Sequence, residues 1–418
     1  MMRPSLFLSL CAFVLSVSSF AQQSATDNWQ SLFNGKDLTG WQILNAQYTV
    51  EVENGMLVGR TGSGQDNGYV CTTQQFGDFI LELEFKTDLL LDNTGIQIRS
   101  LSTPEYKNGR VHGFQIQVEN RPPHQSQWNG AQYDEAGRGF LYIIEDDPKR
   151  QKAYKQNQWN RIRIEAIGTS TRVWINGISI SHVIDDDILK GMICFQLHGG
   201  ALVAARGQQS FYVRNMRIQT ENLKATPFDD IPVANYVPNT LSGQEKSQGF
   251  ELLFDGKSDK NWRGVASKTI PTNAWKIEDG AITIAAPTGG TSQAVAMTEK
   301  QYGPFELKFD FKIHGNDGIA GIGYYSDGKA TTKRDALYGK FAIDSYKHRA
   351  KVERDMWREW NLGVIKAFPD NRVEYWLNGY KIQEYYRNAD QASKGTIILD
   401  ALGTDTVSYR SIKIRELK

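Results

Sequence analysis

Three cysteines in 418 residues are too few to build a disulfide scaffold. Cys11 lies in an apolar leader, which leaves Cys71 and Cys194 either to pair in an oxidising compartment or to stay apart as buried thiols; the sequence leaves both open. Charge of one sign is missing too. With 48 basic against 47 acidic residues the net charge is +1, which excludes the basic footprint of a nucleic-acid binder and a polybasic membrane patch. Past the leader no run reaches about 18 apolar residues, so no membrane span is expected. Metal-type His/Cys spacing, a phosphate-binding glycine loop, a dinucleotide fingerprint and a G-x-S-x-G elbow are all absent. What is present is a chain 40% hydrophobic and 11% aromatic, enough to bury two cores and to serve a small neutral partner.

The first 21 residues combine an early arginine, the apolar run Leu6 to Val17 and small residues up to Ala21. They read as a secretory signal cleaved after Ala21, which places the mature protein outside the cell or in the periplasm. The rest is organised by self-similarity. SLFNGKDLTGW (31 to 41) matches LLFDGKSDKNW (252 to 262), and FGDFILELEFK (76 to 86) matches YGPFELKFDFK (302 to 312). Further pairs follow in the same order: VEVENG with WKIEDG, QWNRIRIEAIG with EWNLGVIKAF, and VRNMRI with YRSIKI. The expected division is a first domain over 22–222, a proline-containing linker over 223–246 and a second domain over 247–418. Alternating apolar and polar residues, Asn-Gly turns and almost no helical period predict an all-β jelly-roll sandwich for each copy. One short helix is expected within 146–156.

Residues shared by the copies point to the fold, and residues of one copy alone point to function. Trp159-Asn160 and Asn176-Gly177 recur as Trp360-Asn361 and Asn378-Gly379, and read as core and turn. Glu82 and Glu84, which recur as Glu306 and Lys308, read as a solvated face. The copies diverge between Gly113 and Trp159, where the first carries 25 residues more than the second has between Gly339 and Trp360. This insertion holds His124, Trp128, Tyr133, Asp134, Glu135 and Arg138, the residue types of a ligand loop over a rigid sheet. By the period of two, NTGIQIR (93 to 99) places Gln97 and Arg99 on one face, and GFQIQVE (113 to 119) places Gln115, Gln117 and Glu119 on one face. Amides offer donor and acceptor together, which suits a polyhydroxylated ligand. GMICFQLHGG (191 to 200) adds Gln196 and His198, and the second copy has Leu402 where the first has His198. An imidazole there is a candidate general base near neutral pH.

In order and wording these motifs, from LFNGKDLTGW through NTGIQIR, HGFQIQVE and GAQYDEAGRGFLY to QLHGG, resemble the 3-keto-disaccharide hydrolase domain family, over nearly all of the first copy and more weakly over the second. The resemblance implies a concanavalin A-like jelly roll acting on glycosides oxidised at carbon 3. For that chemistry His198 is expected as base or proton shuttle, Arg99 and Gln117 as binders of the enolate and hydroxyls, and Asp134 or Glu135 with Tyr133 near the leaving group. Gln97, Gln115, Glu119, Trp128 and Arg138 are the expected substrate contacts. Members of the family tend to carry a glutamate near Gln117, so a carboxylate role falls here to Glu119 or to the insertion. A divalent metal is a further implication, for which His198, Glu119 and Asp134 are the donors at hand. A non-catalytic, lectin-like carbohydrate binder is the alternative, since the fold serves both. An ordinary two-carboxylate glycosidase is less expected, because the E-x-D-x-x-E strand of the laminarin and agar hydrolases is absent.

Overall fold

The computed structural model describes residues 28–45, 48–62, 67–88, 93–119, 128–144, 147–198, 208–264, 268–272, 274–285, 296–315, 318–326, 340–344, 360–403 and 405–418. The leader, His124 and the pair Gly199-Gly200 lie outside them.

The alternating segments fold as strands and pack as sandwiches, as the periodicity predicts. In Phe79–Thr87 the residues Phe79, Leu81, Leu83 and Phe85 are buried on the inner face, each worth about 1.5–3 kcal/mol of burial. Phe305, Leu307, Phe309 and Phe311 repeat the pattern in Phe305–Ile313. Two separate hydrophobic cores result, one per half. In the first half a nine-stranded back sheet is centred on Phe79–Thr87, Ser210–Gln219 and Asn160–Ile167. Its seven-stranded front sheet runs Gly139–Tyr142, Gln132–Glu135, His112–Glu119, Asn93–Leu101, Met192–Leu197, Gly68–Thr72, Trp41–Leu44. In the second half an eight-stranded back sheet faces a five-stranded front sheet, whose last three strands are Thr396–Gly403, Gly318–Ser326 and Lys340–Asp344. Both halves are concanavalin A-like jelly rolls.

Three local devices recur in both halves. Asn176 Nδ2 donates to Asn160 Oδ1 at 2.8 Å, and Asn378 Nδ2 to Asn361 Oδ1 at 2.9 Å, so the shared asparagines tie each hairpin turn to the neighbouring strand. The tryptophans beside them are half-buried, each capped by an arginine 4.0 Å away: Arg214 over Trp159 and Arg410 over Trp360. The third device is a bulge. Arg99 and Tyr325 both adopt positive φ (49° and 60°) in the middle of a front strand, where the register slips. The glycine opposite makes room: a Cβ at Gly191 would lie 2.4 Å from the Arg99 carbonyl carbon, and one at Gly395 2.3 Å from that of Tyr325.

One expectation changes. Glu82 is buried, not solvated, and accepts from Arg161, Arg163 and Arg217. Glu306 and Lys308 are buried likewise, Glu306 against Arg415 and Lys308 against Val233 and Phe250. The linker 223–246 docks on its neighbours. Ala234–Asn235 pairs in parallel with Ile178–Ile184 at the edge of the first back sheet. The helix Gly243–Ser247, closed by a Ser242/Glu245 capping box, bridges the halves. Gln244 Oε1 bonds His182 Nδ1 of the first half, and Glu245 takes Lys413 of the second at 2.9 Å. The expected helix in the insertion is Pro148–Gln151, capped by Asp147. Cys71 and Cys194 sit directly opposite on adjacent front strands and form a disulfide. No helix among the described residues is long and apolar enough to cross a membrane.

Candidate active site

The front sheet of the first half has one face on the core and one turned outward. Phe114, Ile116 and Val118 go inward, so Gln115, Gln117 and Glu119 stand in a row on the outer face. They form a directional chain. Ser100 Oγ donates to Gln97 Oε1 at 2.9 Å, Gln97 Nε2 to Gln115 Oε1 at 3.1 Å, Gln115 Nε2 to Gln117 Oε1, and Gln117 Nε2 to Glu119 Oε2 at 2.9 Å. Gly95 allows this row, since a Cβ there would meet the Gln115 amide carbon at 2.5 Å. Each amide is thereby oriented before any ligand arrives, and the chain ends on a carboxylate.

The row floors a hollow of about 260 Å³. Gln196 and His198, at the end of the neighbouring strand, form one side, and Glu135 with Arg110 another. Arg110 Nη2 binds Glu135 Oε1 at 2.8 Å, and this hydrogen bond holds the guanidinium pKa above its ordinary value. Gln196 Nε2 reaches Glu135 Oε2 at 3.4 Å. Tyr69 lies fully buried opposite Gln196 on the next strand. Burial and the nearby Glu135 push its phenol up, so it stays a proton donor at neutral pH. An aromatic wall closes the opposite side: the Phe140 ring lies 4.9 Å from Trp128 and 4.9 Å edge-on from Tyr133. The segment carrying Trp128 is laced to the floor strand by Gly130 N to Gln117 O at 2.8 Å and Glu119 N to Asn129 Oδ1 at 3.1 Å.

Of the expected site residues, Gln115, Gln117, Glu119, Trp128, Tyr133, Glu135 and His198 line this hollow. Gln97 does not; it is buried behind Gln115 and orients it. Three others belong elsewhere. Arg99, turned over by the bulge, sends its guanidinium to Gly77 O, Gly168 O and Asp78, away from the amide row. Asp134 alternates with Tyr133 and Glu135 and so points to the other face, where Arg138 Nε binds it at 2.7 Å. Arg138 in turn holds Asp185 at 2.7 Å and stacks over Tyr236, so both lie outside the hollow. With Asp134 spent in this way, the donor set His198, Glu119 and Asp134 does not come together. No cluster of three metal-ligating side chains occurs among the described residues. Arg110, Asn93 and Phe140 were not legible as site residues. Arg110 precedes its strand in a turn, a place no periodicity reaches.

The arrangement offers hydrogen bonds to many hydroxyls, an aromatic face for a sugar ring, one guanidinium, and an imidazole and two carboxylates for proton transfer. The sequence profile described as the 3-keto-alpha-glucoside-1,2-lyase-like domain matches residues 28–219 and 249–415. A 3-keto-disaccharide hydrolase of Bacteroides thetaiotaomicron is 31% identical over 170 residues, covering 36% of this chain. The match spans 55% of that relative, about half its length. Among solved structures, a Parabacteroides distasonis protein assigned as a glycosyl hydrolase aligns over 43% of this chain and 100% of its own, at 20% identity and TM-score 0.36. A Bacillus subtilis protein of galectin-like fold aligns over 46% of this chain and 94% of its own, at 13% identity and TM-score 0.36. Matched in two segments over most of its length, the chain belongs to the family of 3-keto-alpha-glucoside-1,2-lyase-like domains.

Proposed function

We propose that the protein is a secreted carbohydrate hydrolase that cleaves 3-keto-glycosides by elimination and hydration at the hollow of the first half. The observation that carries this reading is the meeting of His198, the Arg110–Glu135 pair and a neutral amide row in one hollow with an aromatic wall. A ketone at carbon 3 acidifies the proton on carbon 2. His198 takes that proton, and the electron pair moves onto the carbon 3 oxygen as an enolate. Arg110, which has N–H groups beyond the one given to Glu135, stabilises that charge. The enolate then expels the group on carbon 1, whose oxygen takes a proton from the Tyr133 phenol, restored later by the incoming water, while Glu135 stays a carboxylate beside Arg110. Water adds to carbon 1 of the resulting enone, and His198, after exchanging its proton with solvent, protonates carbon 2, so the net change is hydrolysis. Gln115 and Gln117 hold the remaining hydroxyls, and Trp128 with Phe140 covers the ring. The leader and the Cys71–Cys194 disulfide support an oxidising compartment.

A two-carboxylate glycosidase using Glu119 and Glu135 is the rival enzyme, since both line the hollow. Incubation with a 3-keto-glucoside and with its unoxidised parent separates them. Sugar release from the keto form alone supports elimination, release from the parent supports the two-carboxylate route, and saturable binding without release supports the lectin-like reading.

A further inference from the structure

The hairpin that supplies Tyr133, Glu135 and Phe140 to the hollow stands at the rim of its sheet. Gly139–Tyr142 is the outermost strand and pairs within that sheet with Gln132–Glu135 alone. Two strands by themselves are marginal in water, so such an edge depends on what packs against it. Its tip is held by the first half, where Tyr106 Oη donates to Ala136 O at 2.8 Å. Its far end is held by the linker. Tyr236 donates its hydroxyl to the carbonyl of Leu141, the residue after Phe140, at 2.6 Å, and its ring centre lies 5.6 Å from the Arg138 guanidinium. Tyr142 answers by donating its own hydroxyl to Pro232 O at 3.1 Å.

The linker is fastened in turn to the second half. Lys308 Nζ donates to Val233 O at 3.0 Å, next to the carbonyl that Tyr142 uses, and Asn239 exchanges two hydrogen bonds with Ser411, at 3.1 and 2.8 Å. One contact is direct. The turn Asn378-Gly379 of the second half closes on the buried Ile143, so tightly that a Cβ at Gly379 would lie 2.9 Å from Ile143 Cγ1. We infer that the second half, acting through the linker, positions this hairpin: Tyr236 and the Gly379–Ile143 contact set where Tyr133 and Phe140 stand over the amide row. Tyr236 is then a positioning residue for a hollow it does not line. The inference rests on reading that hollow as the substrate site. A displacement of about 1 Å at Tyr133 would part its phenol from the leaving-group oxygen, a misplacement that costs up to about 10²-fold in rate.

The test uses the full chain with Tyr236→Phe, which deletes one hydroxyl and keeps the ring, and with Ile143→Ala, which opens the contact with Gly379; circular dichroism checks that both fold. Amide hydrogen exchange should quicken about tenfold over 132–142 in each variant and stay unchanged in Phe79–Thr87. Methyl and nitrophenyl 3-keto-glucosides then read the site. Methoxide needs a proton to leave and nitrophenolate does not, so kcat should fall about tenfold on the methyl substrate and stay within about twofold on the nitrophenyl one. Unchanged exchange over 132–142, equal quickening in Phe79–Thr87, or a kcat that moves equally or not at all on both substrates would each overturn the positioning role. Failure of the wild-type chain to turn over either substrate would instead remove the proposed reaction, and the exchange rates alone would then decide whether the second half holds the hairpin.

Discussion

The front sheets of the two halves share a frame and differ in what they hold out from it. Pairing across the strands puts Gly323 where the first half has Gln97, Lys340 where it has Gln115, Ala342 where it has Gln117 and Asp344 where it has Glu119. On the strand of His198, Gln196 corresponds to Asp400 and His198 to Leu402. The bulge, the glycine facing it and the asparagine-tied turns are common to both. The amide row, the imidazole and the hairpin Gln132–Glu135 with Gly139–Tyr142 belong to the first half; beyond Lys340–Asp344 the second front sheet has no further strand among the described residues. What recurs serves the fold. Gln115, Gln117, His198 and the hairpin residues Tyr133, Glu135 and Phe140, which stand in the first half only, converge on one hollow.

The largest effect that sharpens this contrast is on turnover. His198→Ala should lower kcat on a 3-keto-glucoside about 10²- to 10⁴-fold with an unchanged melting temperature, the range expected for loss of a general base. Asp400→Asn, at the Gln196 position of the other half, should leave kcat unchanged; steady-state assays of both variants check this. A second asymmetry is covalent. The disulfide closes a loop with a sequence separation of 123 and lies in the first half, so Cys71→Ala with Cys194→Ala should cost about 2–5 kcal/mol in denaturant unfolding.

The third prediction tests a point where the halves agree. Arg99 occupies the bulge position that Tyr325 fills in the second half, and it is fully buried against Gly77 O and Gly168 O. Arg99→Met should cost about 2–4 kcal/mol of stability, through acceptors left unsatisfied, with kcat per folded molecule unchanged. A large loss of kcat at full stability would restore Arg99 to the site.

The smallest effect concerns the bridge. His182 is buried against Ser170 and Gln244, and burial lowers its pKa to about 4. Between pH 6.5 and about 4 the unfolded chain binds a proton that the folded chain does not. The contribution is therefore intact above 6.5 and is lost as pH falls through about 4, amounting to about 3 kcal/mol at most. Urea unfolding across that range should show the loss, and His182→Gln should flatten it.

Much of this was legible from the period of two. It placed Gln115, Gln117 and Glu119 on one face and their apolar neighbours in the core. Applied to Tyr133, Asp134 and Glu135 it also separates the middle residue from its flanks, as the structure does. It failed at Arg99, because a single residue at positive φ reverses the alternation and nothing in the local sequence announces it. Aligning Gly113 with Gly339 sets Phe341 against Gln115, whereas the strand pairing sets Lys340 there. A slip of one residue exchanges the faces. Arg110 and Phe140 join the site only through the turn and hairpin that fold them over it, and Glu306 and Lys308 read as solvated because the sequence does not show what covers a sheet.

The central claim is that the first-half hollow removes the carbon 2 proton of a 3-keto-glycoside. The most direct test is turnover of a 3-keto-glucoside in D₂O, with the released 3-keto-glucose examined by NMR. Elimination and hydration predict deuterium at carbon 2 in the wild-type product, and neither product nor exchange above background with His198→Ala. Product released with its carbon 2 proton retained would contradict the account.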